Sequence, residues 1–235
     1  FVLPKEFNKG RVILHIGAAD QRADVFLNGK TIGVHKGGYE AFSFDITDFL
    51  QKENNLQICC FDDLEDQTYP YGKQVLPEKR GGMWYTPVSG IWQAVWLESV
   101  PQDYIRKLNI QTHGTSVTIS TEPAMDGTVT VDGLGQFPLG AVIAPEEPHL
   151  WSPEDPHLYR FTVETAQDRV TSYFALRTVE AKTVNGIPRL CLNGKPYFFH
   201  GLLDQGYWPD GIYTPASADA FEKDIQSMKQ LGFNT

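Results

Sequence analysis

The sequence has 235 residues, of which 41% are apolar and 21% are charged, as in an ordinary globular protein with one large or two smaller domains. It carries 29 acidic and 20 basic residues, a formal net charge of −9, which argues against a nucleic acid or an anionic membrane as partner, since both need a basic surface. No apolar run approaches the roughly 20 residues that span a bilayer.

Residues 1–100 contain short runs of alternating apolar residues, which is typical of β-strands. The runs cover residues 12–16, 23–27, 31–34, 41–46, 56–61 and 91–97. Asn28 and Gly29 separate the second run from the third, and both tolerate the positive φ of a tight hairpin. In residues 41–46, Phe42, Phe44 and Ile46 fall on one face. Because no segment has a helical period, the pattern predicts a β-sandwich, of the jelly-roll type.

The connection from residue 62 to 90 is too long for an ordinary loop, and its aromatic residues disfavour disorder. Residues 101–182 return to short strands, at 116–119, 128–131 and 158–163, with turn residues every 8–12 positions or so. This rhythm predicts an immunoglobulin-like sandwich.

The pattern changes after Thr183. Residues 189–192 and 196–199 flank a second hairpin signal at Asn193, and a helix is predicted from the N-cap Ser217 to the stop signal Gly232. Its apolar face consists of Phe221, Ile225, Met228 and Leu231. Residues 233–235 resemble the start of another strand. Such a βαβ unit cannot cover its own sheet, so the chain is expected to end inside a domain.

The cysteines and histidines offer no metal or nucleophile pattern. Cys59 and Cys60 are adjacent on a strand and point to opposite faces, and Cys191 is far along the chain, so free thiols are expected. This favours a reducing, cytoplasmic compartment. The histidines lack metal-ligand spacing, which predicts no metal and no cofactor.

Four segments together resemble glycoside hydrolase family 2, which contains β-galactosidases, β-glucuronidases and β-mannosidases. They are LHIGAADQRADVFLNGKTIGVHKGGYEAFSFDIT, GMWYTPVSGIWQAVWLE, LWSPEDPHLYRFTVE, and LCLNGKPYFFHGLLDQGYWPDGIYTP followed by DIQSMKQLGFNT. Each is weak alone, but their order and spacing are specific.

The resemblance implies three parts: a jelly-roll sugar-binding domain at 1–100 that lacks its beginning, an immunoglobulin-like domain at 101–182, and the start of a (β/α)8 barrel at 183–235. The whole protein would be a retaining β-glycosidase acting on a carbohydrate. The family's catalytic glutamates lie on later barrel strands, so no catalytic residue is expected before Thr235, and Glu180 and Glu222 are read as surface residues.

Six residues are candidates for substrate binding. Asp62, Asp63 and Trp84 lie in the long loop, which in the family reaches the barrel mouth. Asp204, Trp208 and His200 follow the first predicted barrel strand, at the end where barrel active sites form. Carboxylates beside aromatic faces suit sugar hydroxyls and C–H groups.

Structural roles compete with these assignments. The aspartates can instead bond turn amides. Trp84 and Arg80 can pack the loop, and His200 can be a core histidine. Tyr39, after Gly37 and Gly38, is interpreted as a packing residue.

Two other functions remain open, a stand-alone lectin-like carbohydrate-binding protein and an immunoglobulin-like adhesion protein. The predicted βαβ segment disfavours both, since neither needs an unfinished barrel. The sugar and the oligomeric state, a homo-oligomer included, are left open.

Overall fold

A computed structural model describes residues 1–66, 68–70, 72–74 and 82–235, so Arg80 lies outside the described residues. The described chain is mainly β and divides into two compact units. The first unit comprises Phe1–Gln102 and Leu203–Gln226, and the second comprises Asp103–Leu202 and Ser227–Thr235. Residues 183–235 therefore do not group as a third unit; they are shared between the other two.

The described residues of the first unit form eight strands and a 3-10 turn at Thr47–Phe49. The strands are β1 (Arg11–Ile16), β2 (Ala19–Asp20), β3 (Arg22–Leu27), β4 (Lys30–Lys36), β5 (Phe42–Asp45), β6 (Leu56–Phe61), β7 (Gly90–Ile91) and β8 (Val95–Val100). They form the antiparallel sheets β5-β1-β8 and β4-β3-β6 and the short pair β2-β7.

The core of the first unit lies between the two larger sheets. β1 contributes Val12, Leu14 and Ile16, while β3 contributes alternate residues from Ala23 to Leu27, and all are buried. Phe42 and Phe44 pack against this cluster beside the buried Ile46, as the period of two predicts. The two sheets thus make a sandwich with one shared apolar layer.

Two features of the first unit bear on the sequence predictions. Asn28 and Gly29 have φ of 53° and 77° between β3 and β4, which confirms the predicted hairpin. The single strand predicted at 91–97 is wrong, because Trp92, Gln93 and Ala94 separate β7 from β8 and the two strands join different sheets. The break turns the Trp92 indole towards the carbonyl of Gly38, to which it donates a hydrogen bond of 2.7 Å.

The second unit contains ten strands in three sheets, β13-β10-β9, β12-β11-β14-β15 and β16-β17-β18. They are β9 (Lys107–His113), β10 (Ser116–Glu122), β11 (Thr128–Val131), β12 (Gly135–Pro138), β13 (Val142–Ile143), β14 (Tyr159–Glu164), β15 (Arg169–Phe174), β16 (Val179–Val184), β17 (Ile187–Leu192) and β18 (Lys195–Pro196). The first two sheets share a core that includes Val117 and Ile119 from one sheet and Val129, Phe161 and Val163 from the other. This is a second sandwich.

The segment from residue 179 onward differs from the predicted strand–helix–strand unit. β16, β17 and β18 pair only antiparallel, and residues 233–235 form no strand. Two backbone hydrogen bonds, Asn234 N–H to His200 O and Leu202 N–H to Thr235 O, both 3.0 Å, nevertheless run residues 200–202 and 234–235 in the same direction. A barrel is therefore not seen in the described residues.

The predicted helix is present as α1 (Ala218–Gln230). It begins after Ser217 and ends at Gln230, and Gly232, the predicted stop signal, has a φ of +89°. Gly232 N–H donates to Lys229 O and Phe233 N–H to Met228 O, the pair of bonds that closes a helix before a left-handed glycine. No helix in the described ranges is long and apolar enough to cross a membrane.

Candidate functional site

A cavity of about 640 Å³ that includes the predicted site residue Asp204 in its lining lies in the first unit. We call it the tyrosine pocket. It is lined by Tyr39, Gly72, Lys73, Trp92, Gln93, Leu203, Asp204, Gln205, Gly206, Tyr207 and Tyr213. The lining comes from the turn after β4, the long loop, the break between β7 and β8, and the 203–213 segment. Its volume falls within the roughly 300–1,000 Å³ typical of small-molecule sites.

Three tyrosines form the centre of this pocket. The Tyr39 and Tyr213 hydroxyls lie 3.0 Å apart, and Tyr207 Oη lies 3.5 Å from Tyr213 Oη. Trp92 packs edge-to-face on Tyr213, with ring centroids 4.9 Å apart. Gly72 lies so close that a Cβ there would be 2.8 Å from the Tyr39 hydroxyl. Since φ at Gly72 is also +68°, glycine suits this wall on two grounds.

The Tyr39 and Tyr213 hydroxyls stay protonated at neutral pH. Burial raises the pKa of Tyr213, and its hydrogen bonds with Tyr207 and Tyr39 raise it further. Burial also raises the pKa of Tyr39, although its hydrogen bond to Tyr213 acts in the opposite direction. These groups therefore serve as neutral donors and acceptors and not as bases.

A second layer holds the 203–213 segment against the long loop. Tyr85 stacks on Tyr207 with ring centroids 3.6 Å apart and an angle of 7° between the rings. The Tyr85 hydroxyl donates to Gln205 Oε1 at 2.9 Å, and Lys73 Nζ donates to the same oxygen at 3.2 Å. Aromatic faces, neutral hydroxyls, one ammonium and one carboxylate suit a ligand with C–H faces and hydroxyl edges.

Asp204 is the one predicted residue that lines the tyrosine pocket. Its Oδ1 accepts a hydrogen bond of 2.8 Å from Gly206 N–H, which holds the turn and leaves Oδ2 for other partners. Asp62 and Asp63 line a different cavity of about 330 Å³, and the two cavities share no lining residue. The structure therefore separates the predicted carboxylates into two groups.

The other three predicted residues line neither cavity. Trp208 packs edge-to-face on Phe221 at 5.4 Å, so its ring supports the start of the helix. Trp84 is 42% exposed in the long loop. His200 belongs to the second unit, where its ring lies 4.6 Å from that of Phe233 and its backbone N–H donates to Asn234 Oδ1.

Sequence reasoning missed most of the pocket lining. Tyr39, interpreted as a packing residue, lines the pocket while it also contacts Trp92 and Tyr213. Tyr213 was not singled out at all. A usable signal exists, since Tyr207 and Tyr213 lie in a glycine- and proline-rich stretch where no core strand or helix is predicted to need them.

In the described part of the chain, no group of three or more His, Cys, Asp or Glu side chains could hold a metal ion.

Comparison with known proteins gives two family matches in chain order. A model of the glycosyl hydrolase 2 galactose-binding domain-like type matches residues 1–81, and that of glycosyl hydrolases family 2 matches residues 99–177. A β-galactosidase from Thermoanaerobacter pseudethanolicus is 24% identical over 100% of this chain and 34% of its own length. A β-glucuronidase from Felis catus is 28% identical over 82% of this chain and 35% of its own length.

Solved structures agree with these matches. The β-glucuronidase of Bacteroides uniformis is 25% identical, with a TM-score of 0.74, over 100% of this chain and 32% of that one. An uncultured Clostridium β-glucuronidase is 20% identical with a TM-score of 0.77, which shows a shared fold. The chain spans about a third of the length of the first three of these relatives and 43% of the Clostridium enzyme. The two consecutive matches, with relatives of the same kind along the whole chain, show that the chain belongs to glycosyl hydrolases family 2.

Proposed function

We propose that this chain is the non-catalytic front portion of a retaining β-glycosidase. The observation that carries the proposal is the order of the two family-2 matches, residues 1–81 followed by 99–177, within a chain that aligns over its whole length with a β-galactosidase. On this proposal, residues 1–100 are a jelly-roll sugar-binding domain and residues 101–182 are an immunoglobulin-like domain. Residues 183–235 begin a (β/α)8 barrel.

The catalytic step needs two carboxyl groups about 5–5.5 Å apart, one that protonates the leaving oxygen and one that attacks the anomeric carbon. We assign neither role to a residue of this chain. Since the chain covers about a third of each relative, the pair is proposed to belong to the part of the protein that corresponds to the remaining two thirds.

The chain's own contribution is proposed to be recognition. The Tyr213 and Trp92 rings would cover the C–H face of a pyranose, while Asp204 and the Tyr39 hydroxyl bond its hydroxyls. This assignment is supported by the mixed aromatic and polar lining and by the neutral tyrosines. Lys73 offers a cation at the same wall, although Gln205 already accepts one of its hydrogen bonds.

The activity can be tested with the protein encoded by the complete reading frame and with the 235-residue chain, each assayed on nitrophenyl β-galactoside, β-glucuronide and β-mannoside. We expect the complete protein to cleave at least one substrate, with the β anomer as first product by NMR, and the 235-residue chain to cleave none. If the complete protein is folded and binds sugar without turnover, it is a lectin-like protein and the proposal fails.

The role of the tyrosine pocket needs point variants in the complete protein. Asp204→Asn and Tyr213→Phe should each lower kcat/KM by about tenfold or more, the cost of one hydrogen bond to a sugar hydroxyl. Tyr173→Phe, on an exposed strand of the second unit, is the matched control. If all three variants have the same kcat/KM, the tyrosine pocket does not take part in substrate recognition.

A further inference from the structure

The second cavity of the first unit, named here the Gln21 pocket, lies at one end of the β4-β3-β6 sheet. It is lined by Gln21, Arg22, Lys36, Phe61, Asp62, Asp63 and Tyr69. The strand register brings these residues together, because Arg22 of β3 lies opposite Lys36 of β4 on one side and opposite Phe61 of β6 on the other. Three strand ends thus meet where the long loop begins.

Gln21 is the most informative residue of this pocket. It is only 7% exposed, and its side-chain nitrogen Nε2 has no hydrogen-bond partner among the described residues. Its backbone is held on both sides, since its N–H donates to Phe61 O at 3.1 Å and its carbonyl accepts from Gly37 N–H at 2.8 Å. A buried amide left without a partner costs about 1–3 kcal/mol, so an acceptor supplied by a ligand would recover that cost.

The remaining polar groups of the pocket form a complementary set. Lys36 is exposed and makes no ion pair within the described ranges, so its ammonium can donate. Asp62 accepts from the Ser89 hydroxyl and Asp63 from Glu65 N–H, each through one carboxylate oxygen. Within the described part of the loop, the other oxygen of each remains for a ligand. Phe61 and Tyr69 provide exposed rings.

The charge around the pocket selects against an anionic ligand. Arg22 is neutralised by two hydrogen bonds to Asp24, of 2.9 and 3.0 Å, and its guanidinium lies over the Phe61 ring at 5.6 Å. The remaining charges are then one positive charge on Lys36 and two negative charges on Asp62 and Asp63. A hydroxyl-rich neutral molecule satisfies donors and acceptors without adding charge.

We propose that the Gln21 pocket is a second carbohydrate site, separate from the tyrosine pocket, that binds one neutral pyranose residue. Asp62 and Asp63 accept from neighbouring hydroxyls, the Gln21 amide and Lys36 ammonium donate to ring or hydroxyl oxygens, and an aromatic ring covers the C–H face. The volume of about 330 Å³, at the lower end of the range for ligand sites, suits a single sugar ring.

The test is a ¹H–¹⁵N NMR titration of the 235-residue chain with methyl β-galactoside, β-glucoside and β-mannoside, with methyl β-glucuronide as the anionic comparison. The side-chain amide of Gln21 should shift in a saturable way with at least one neutral sugar, and the glucuronide should bind more weakly. Asp62→Asn and Lys36→Met should each weaken binding by about tenfold or more, the loss of one hydrogen bond to a charged group.

Controls separate this site from the proposed glycosidase function. Glu65→Gln, in the same loop but outside the lining, and Tyr213→Phe, in the other pocket, should leave the Gln21 titration unchanged. Lys36→Met replaces an exposed side chain, so it reports on binding even if Asp62→Asn fails to fold. The proposal is overturned if no neutral sugar shifts the Gln21 amide, if the glucuronide binds most tightly, or if the shifts centre on the Trp92 indole and vanish in Tyr213→Phe.

Discussion

Asp20 offers a sharp test of the electrostatics of the first unit. Its side chain is 1% exposed, and among the residues that the structure describes neither carboxylate oxygen has a hydrogen-bond partner of normal geometry. Gly38 closes over it so tightly that a Cβ there would lie 2.1 Å from Asp20 Oδ1. Burial, with the nearby charge of Asp62, raises the pKa of Asp20 from its ordinary value of 3.8 to about 6, while the Gln74 side chain partly opposes the rise.

The raised pKa fixes the sign of the effect on stability. Between about pH 4 and pH 6 the unfolded chain has lost a proton that the folded chain still holds. The free energy of unfolding therefore falls as pH rises through this window and stays at the lower level above it. At about 1.4 kcal/mol per pKa unit, the loss amounts to about 3 kcal/mol.

Asp20→Asn removes the titration and keeps the shape. We expect the free energy of unfolding of the variant, minus that of the original chain, to rise by about 3 kcal/mol from pH 4 to pH 7, because all other titrations cancel in the difference. Urea unfolding followed by tryptophan fluorescence measures it, since four of the five tryptophans lie in the first unit. Asp48→Asn on the surface 3-10 turn is the control. A flat difference for Asp20→Asn would refute the reasoning.

Three further changes test packing in the two units. Tyr213→Phe removes one hydroxyl from the tyrosine cluster and should lower the free energy of unfolding by about 1 kcal/mol. Tyr173→Phe, at a side chain that is 57% exposed, should leave it unchanged. Equal effects of the two variants would show that the hydrogen bonds of the cluster do not stabilise the fold. Phe161→Ala empties the core of the second sandwich and should cost about 3–5 kcal/mol in urea unfolding, against little for Tyr173→Ala. Ile225→Lys should reduce the fluorescence of a hydrophobic dye added to the 235-residue chain, because Ile225 and Phe221 are both exposed on the helix and offer the dye an apolar surface. If the unmodified chain binds no dye, this prediction is wrong.

Hairpins were the most predictable part of the fold, because their signal is local. Asn193 and Gly194, with φ of 52° and 77°, join β17 to β18 as the dipeptide predicts. The same signal at Asn185 and Gly186, with φ of 53° and 77°, was overlooked, although it joins β16 to β17. That omission placed the start of a strand at residue 189 when β17 begins at Ile187.

The break between β7 and β8 could not be predicted from periodicity. Residues 91–97 are apolar enough for one strand, and nothing local marks a stop. The deciding interactions are non-local: Gly17 N–H bonds to Ala94 O and Trp92 N–H to Ala18 O, which bend the segment around the turn after β1. A pattern within one segment carries no information on such partners.

The two cavities could not be predicted either, because both depend on contacts between residues that are distant in the sequence. Tyr39 and Tyr213 are 174 residues apart, so their hydrogen bond is set by the closure of the first unit, and in the sequence each is an ordinary tyrosine. Gln21 is harder still, because a glutamine at the start of a strand is normally solvated, and only the pairing of β3 with both β4 and β6 buries it. Carboxylates such as Asp62 are readily chosen as candidate ligand-binding groups in a sequence. The group that distinguishes the proposed binding site from a solvated turn is the buried Gln21 Nε2, a donor without an acceptor among the described residues. Sequence analysis could therefore identify Asp62 and Asp63 as acceptors for a sugar. The Gln21 donor could be identified only from the structure, where the ends of β3, β4 and β6 meet.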